Sequence, residues 1–470
     1  MIDIINVNSD FCRFTLIYTI RIIDMKSLVE FKGIKNFYSG AHLVLQHSLE
    51  DLFSAKVRLQ FNVISAYKTY FDIDIINSPN RNVYIDEGNN RVFLISYVER
   101  EDLPHRYYLG LSIESPYVPY INPSIFNITA KTIGVLLCKE SKSLFRNCLN
   151  VFDGSFVNLI ISQFIKIGSQ SKFLFVLNRF RDLRATTFEG DYFSTGLIIT
   201  RNITDYKTKD NRNGFFAKLS NELTRKVYDH LDYRFWYLVD GKQSFYVADN
   251  KSFNIENVFI SNGEDDYVNN LLLNKTLYGH DVLLRVSDGR ELSVINSKGL
   301  EFIHQENKWR LRDYNAIKRF IQKYFKIDES LFDSLIKHVV YCSKSGVSSI
   351  IWLPEKEKRV ADYVMGNTLH KFISEKPSQL NIKNDSSQSV IMRMLASDGA
   401  TVISKTGKIL YFGCIADLSK HPLSIKEKRI VKGSGESAAS ILAQNGLAIK
   451  ISQDGPIKIF LQGFDKYISF

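Results

Sequence analysis

The residues best equipped for chemistry lie between positions 397 and 439. Ser397-Asp398-Gly399-Ala400 is an acidic turn running into the apolar stretch Thr401-Val402-Ile403. Ser404-Lys405-Thr406-Gly407 turns the chain, and Lys408 to Phe412 returns as a second strand closed by Gly413-Cys414. Downstream, Gly433-Ser434-Gly435-Glu436-Ser437-Ala438-Ala439 gathers small residues at a helix start. An aspartate at a hairpin mouth can hold a hard divalent cation through its carboxylate oxygens. A helix start presents backbone N–H groups to phosphate. The layout suits a nucleotide and its metal. An Asp-Gly pair alone proves little: Asp240-Gly241 and Asp288-Gly289 also sit between apolar runs, where the dipeptide signals an ordinary hairpin.

The elements that must position these residues follow an α/β pattern. Val347 to Leu353 is a buried strand bounded by Gly346 and Pro354. Gln388 to Leu395 is apolar at helical spacing behind an Asn-Asp-Ser-Ser cap region, 384–387. The Asp398 hairpin comes next. Ser437 to Gln444 is a short helix, and Leu447–Ser452 and Ile457–Leu461 are strands joined at Asp454-Gly455-Pro456.

Upstream, residues 1–150 read as a β-rich region. Leu16–Ile20, Val57–Val63, Phe71–Ile75 and Arg91–Val98 are strands, several alternating at period two. Turns are expected at 77–80 and 86–89, and an ordered loop from Pro104 to Pro123. Residues 151–311 read as a mixed α+β sensor region. Helices are expected over Phe156–Ile167 and Leu219–Leu231, and strands over Lys172–Leu177 and Gly196–Thr200. Hairpins are expected around Asp240-Gly241 and Asp288-Gly289, with two further strands ending at Trp309. No catalytic constellation stands out here, and Asp265-Asp266 reads as a solvated turn. Tyr314–Phe325 is a basic amphipathic helix, and Asp328 or Glu329 opens another over Leu331–Val340. The domain boundary falls near 312, so 312–470 forms the third unit. The fold class is α+β: a β-rich N-terminal region, then a C-terminal α/β domain.

Bulk composition sets the outer limits. The chain has 470 residues, with 45 % hydrophobic and 24 % charged, ordinary for a globular protein. A content of 33 Phe and 24 Tyr favours strands. The net charge of +11 points either to anionic partners or to a Lys-rich solvated surface. The five cysteines show no metal-ligand spacing and read as buried thiols in a reducing compartment. The nine histidines form no metal motif. The apolar run Phe11–Ile23 is broken by Arg13 and Arg21, too short and too charged for a transmembrane span. It also lacks signal-peptide order. A cytoplasmic location is expected. No aromatic-basic motif marks nucleic acid as a partner.

On these residues, positions 330–465 resemble the diadenylate cyclase (DAC) domain family, which condenses two ATP into cyclic di-AMP. The resemblance runs through the Gly346–Leu353 strand, Asp398-Gly399-Ala400 to Gly413-Cys414, Asp417-Leu418-Ser419, Gly433 to Ala439, and Ser452-Gln453-Asp454-Gly455. It implies a mixed central sheet flanked by helices. It gives Asp398 the catalytic, metal-holding role toward Mg²⁺ or Mn²⁺. It implies nucleotide contact from Gly399, Ala400, Leu418, Ser434, Gly435, Glu436, Ser437, Ala438 and Ser452, with the Leu418 backbone at adenine. It also implies a homo-oligomer in which two domains face each other, each with one ATP.

One element departs from the family pattern. Its phosphate-gripping Arg-His-Arg is Gly435-Glu436-Ser437 here. Each lost charge pair is worth roughly 4 kcal/mol of Coulomb attraction at about 4 Å and an effective dielectric near 20, before desolvation. Lys426, Lys428, Arg429 and Lys432 either compensate or form a solvated run. Glu436 could instead bring a second metal. Two functions follow: a divergent dinucleotide cyclase controlled by an N-terminal sensor region, or a non-catalytic module that binds a nucleotide or second messenger.

Overall fold

The computed structural model describes residues 45–62, 83–98, 107–138, 155–165, 170–192, 194–203, 214–261, 277, 279–287, 291–366, 380–420, 433–453, 456–464 and 467–470. The expected strands Leu16–Ile20 and Phe71–Ile75, the turn at 77–80, Asp265-Asp266, and the cations Lys426, Lys428, Arg429 and Lys432 lie outside these residues.

The fold is α+β, built on three main sheets. Helix α1 (residues 45–53) leads into an antiparallel four-stranded sheet. Its strands are β1 (Lys56–Asn62), β2 (Val83–Asp86), β3 (Arg91–Val98) and β4 (Tyr107–Glu114), in the order β1-β4-β3-β2. The turn between β2 and β3 is anchored by Asp86, whose carboxylate accepts from Asn89 N–H at 3.1 Å. β4 occupies the middle of the Pro104–Pro123 stretch expected to be loop. The prolines flank it, and the intervening Tyr107–Glu114 is free to pair on both edges.

Helices α2 (Pro123–Cys138), α3 (Ser155–Ile165) and α4 (Gln170–Arg184) follow. α4 replaces the strand expected at Lys172–Leu177. Its buried residues are Phe173, Val176, Leu177, Phe180 and Leu183, a helical stripe that a six-residue window truncates.

The second sheet has nine strands. They are β7 (Thr195–Thr200), β8 (Gly214–Lys218), β9 (Arg225–Lys226), β10 (Ser244–Asp249), β11 (Asn254–Ser261), β12 (Val282–Ser287), β13 (Glu291–Asn296), β14 (Leu300–Gln305) and β15 (Lys308–Asp313). The order is β15-β14-β13-β12-β7-β10-β11-β8, with β9 on β11; a two-stranded ribbon, β5 (Thr187–Phe188) and β6 (Asp191–Tyr192), stands apart. The helix expected over Leu219–Leu231 is instead turn, β9 and one 3₁₀ turn, Val227–Asp229. Phe235–Tyr237, on the first arm of the hairpin expected around Asp240-Gly241, lies in a short helix, α5 (Tyr233–Tyr237), whose Asp232 cap accepts from Arg234 N–H at 2.9 Å. Phe235 and Trp236, from the aromatic run that reads as strand, are buried as a cluster instead: Phe235 stacks on Tyr246 and His230. The β12–β13 hairpin matches expectation in full register from Val282 to Ser287.

Helix α6 (Tyr314–Tyr324) is capped by Asp313, and α7 (Glu329–Lys344) by Asp328, each accepting a first-turn N–H at 2.9 and 2.7 Å. The third sheet contains β16 (Ser349–Pro354), β17 (Ala400–Ile403), β18 (Ile409–Cys414), β19 (Gly446–Ile451), β20 (Ile457–Leu461) and β21 (Ile468–Ser469). Its order, β18-β17-β16-β19-β20-β21, is mixed, with β16 and β17 parallel. Between these strands lie α8 (Val360–Tyr363), α9 (Gln388–Leu395) and α10 (Ser434–Ala443). Leu335, Val339, Ile391 and Leu395, on α7 and α9, join the core on one face with Ile351 and Ile449. Val360, Tyr363, Ile441 and Leu442, on α8 and α10, cover Ile350 and Trp352 on the other. The first of these cores is continuous from Leu45 to Phe470. Among the described residues no helix is long and apolar enough to cross a membrane.

Candidate functional site at one end of the mixed sheet

Strand register decides which of the singled-out residues meet. β16 and β17 run parallel with Ile350 beside Ala400, so both start at the same end of the sheet. β18 returns antiparallel and finishes there, Cys414 opposite Ala400. β19 also finishes there, Ile451 opposite Ser349. Asp398, Gly399, Ala400 and Ser452 therefore share one end. The first turn of α10 joins them, because a Cβ built on Gly435 would fall 2.8 Å from Lys450 Cε on β19. That turn carries Ser434, Gly435, Glu436, Ser437 and Ala438. Leu418 sits four residues past the end of β18.

Asp398 is exposed, and its Oδ1 accepts from Gly399 N–H at 3.0 Å. Gly399 has φ +91°, and a Cβ there would meet Gly413 C at 2.7 Å and Cys414 O at 2.8 Å. The close approach that demands glycine is thus made by the opposite arm of the hairpin. Gly413, at φ +65°, completes the pinch. Ala400 is buried in the sheet.

The Leu418 loop is tied to the segment after α8. Asp417 N–H donates to Tyr363 O at 2.8 Å, and Met365 N–H donates to Ile415 O at 2.9 Å. The Asp417 carboxylate accepts from Ser419 Oγ at 2.6 Å and from Ser419 N–H at 3.1 Å. The Ser419 hydroxyl above all, with Lys420 beside it, holds the Asp417 carboxyl down at about 2. The loop thereby presents Leu418 outward, half exposed.

The first turn of α10 holds an arrangement that sequence reading missed. Glu436 pairs with Lys458 on β20, both side chains mostly enclosed. Lys458 lies directly opposite Lys450 in the β19–β20 ladder. Lys450 Nζ donates to Ser348 Oγ at 2.6 Å and to Ile451 O at 2.8 Å. Burial pushes the Lys450 ammonium down; Glu436 opposes that shift and Lys458 adds to it. Two lysines inside otherwise apolar strands, on either side of Asp454-Gly455-Pro456 in the sequence, were the available signal. The helix start itself uses Gly433, which offers no side-chain cap, while Ser437 N–H and Oγ both donate to Gly433 O, at 2.9 and 3.0 Å.

Among the described residues, the carboxylate that the sheet end offers a divalent cation is Asp398, exposed on its turn. Among the described residues no group of three or more His, Cys, Asp or Glu gathers around a common point. That donor set fits Mg²⁺ or Mn²⁺ delivered on nucleotide phosphates, since Mg²⁺ is commonly held by one or two carboxylates plus phosphate and water. Glu436, the carboxylate read as a possible holder of a second metal, is paired to Lys458. No protein-family model matches the chain, and no curated protein matches it.

Proposed function

We propose that the end of the mixed sheet formed by β16, β17 and β19 binds a nucleotide, and that residues 312–470 act as a diadenylate cyclase-type domain in the cytoplasm under control of residues 1–311. The observation that supports this reading is convergence: the acidic turn at Asp398, the end of β19 at Ser452 and the first turn of α10 lie at one sheet end. In the catalytic form two copies face each other. Each ATP 3′-oxygen bonds to the other's α-phosphorus, loses its proton, and expels pyrophosphate with the electron pair of the broken P–O bond. Bound Mg²⁺ or Mn²⁺ supplies charge neutralisation at the phosphates. Asp398 would hold that cation, the α10 turn would receive phosphate oxygens, and the Leu418 backbone would reach the base.

A second reading has its own observation. Glu436 places a carboxylate on Lys458 where a triphosphate would need cations, which favours a non-catalytic module that binds a nucleotide or second messenger. Mass spectrometry separates the two. Purified protein is incubated with ATP, and separately GTP, with Mn²⁺ or Mg²⁺, beside Asp398→Asn. A cyclic dinucleotide that disappears in Asp398→Asn supports the enzyme. Nucleotide binding with no product at any protein concentration supports the module.

A further inference from the structure

We propose that Lys450 and Lys458 form an anion-binding fork beside the first turn of α10, and that Glu436 is its resident counter-ion, displaced when a ligand phosphate arrives. The proposal takes its ligand class, a nucleotide's pyrophosphate or phosphate group, from the nucleotide-binding reading above. Its geometry stands apart from that reading.

Like charges directly opposite in a ladder repel, and these two lysines are paired across β19 and β20 on the face that α10 covers. The enclosure of Lys458 and Glu436 reduces the screening that water would supply. The fold answers with one carboxylate, Glu436, reaching back from the first helical turn to Lys458. The Lys450 head meets two neutral oxygens, those of Ser348 and Ile451. The three charged groups thus carry one cation more than anion. The helix start beside them is favourable to negative charge, and its cap residue Gly433 contributes no side-chain acceptor. A phosphate presents the same oxygen acceptors as a carboxylate, with more charge. It can take over Lys458 and draw Lys450 across, while Glu436 swings to solvent from a half-exposed turn.

Calorimetric titration of the full chain with sodium pyrophosphate, and separately with ATP, tests this. Glu436→Gln should bind both about tenfold more tightly than wild type, the scale of one charge-assisted hydrogen bond. Lys458→Met and Lys450→Met should each bind about tenfold more weakly. The double variant Glu436→Gln/Lys458→Met should lose the gain. Equal or weaker binding by Glu436→Gln overturns the proposal. Should that variant not fold, Glu436→Asp carries the test: its shorter carboxylate must bind pyrophosphate more tightly than wild type, and unchanged or weaker binding overturns the idea. If wild type binds ATP and Glu436→Gln shows no gain, the fork fails while the nucleotide reading stands. If Glu436→Gln gains pyrophosphate but ATP is never bound, the fork stands and the nucleotide reading fails.

Discussion

Lys344, in the last turn of α7, donates to the Glu301 carboxylate on β14 at 2.7 Å, with side chains 7 and 2 % exposed. Glu291 on β13 shares the same ammonium, Ser293 Oγ and the Tyr314 hydroxyl also donate to Glu301, and Arg312 lies close enough to add its charge. The network joins the nine-stranded sheet to a helix that also packs on the mixed sheet. Burial alone would push the Glu301 carboxyl up; Lys344 and Arg312 outweigh it and bring it down to about 2.

Removing the ammonium should therefore be severe. Lys344→Met leaves two buried carboxylates facing each other, and breaking such a network costs about 3–5 kcal/mol. Urea unfolding should show a lower midpoint with an unchanged slope. Adding Glu291→Gln and Glu301→Gln should recover most of the loss. A Lys344→Met protein as stable as wild type would dismiss the network as a stabilising element.

Acid should weaken the fold in two windows. His304 on β14 is fully buried, and among the described residues neither ring nitrogen finds a hydrogen-bond partner. Burial, then Arg184 and Arg181, hold its imidazole at about 3, against an ordinary 6.5. The unfolded chain takes up that proton first, so stability is complete above 6.5 and declines as pH falls from there toward 3. The Glu301 contribution is complete above 4.5 and declines as pH falls toward 2. His304→Phe should flatten the upper window and leave the lower one. Unfolding midpoints at several pH values between about 7 and 2 decide it; an unchanged slope in the upper window in His304→Phe contradicts the assignment.

Gly399→Ala tests the hairpin pinch. The added Cβ meets Gly413 C at 2.7 Å on a backbone at φ +91°. A strained conformation of this kind costs on the order of 1–3 kcal/mol. Thermal unfolding should drop accordingly, with any ligand affinity falling alongside. A neutral Gly399→Ala would show that the two arms are not pressed together.

What could be read in advance followed the length of each pattern. Gln388–Leu395, with its cap region, forms a helix over the same residues, and Val282–Ile295 forms the expected hairpin, because each carries its own period and boundary. Phe173 and Val176 misled because a short apolar run fits strand or helix, and only the continuation to Phe180 and Leu183 separates them. Phe235 and Trp236 misled because burial in an aromatic cluster overrode their strand preference. At the site, Asp398 and the α10 turn were legible as local motifs. The Lys450–Lys458–Glu436 contact was not, since it joins two strands and a helix through a register that no single segment encodes.

Asp398 marks the sheet end to which the nucleotide is assigned. Calorimetric titration of ATP with Mn²⁺ into wild type and Asp398→Asn tests that assignment most directly. The side chain is exposed, so the variant should unfold within about 0.5 kcal/mol of wild type. Wild type should show saturable binding, and Asp398→Asn should bind at least about tenfold more weakly, the scale of one lost charged contact. Absence of saturable binding to wild type, or equal binding by both proteins, would contradict the assignment.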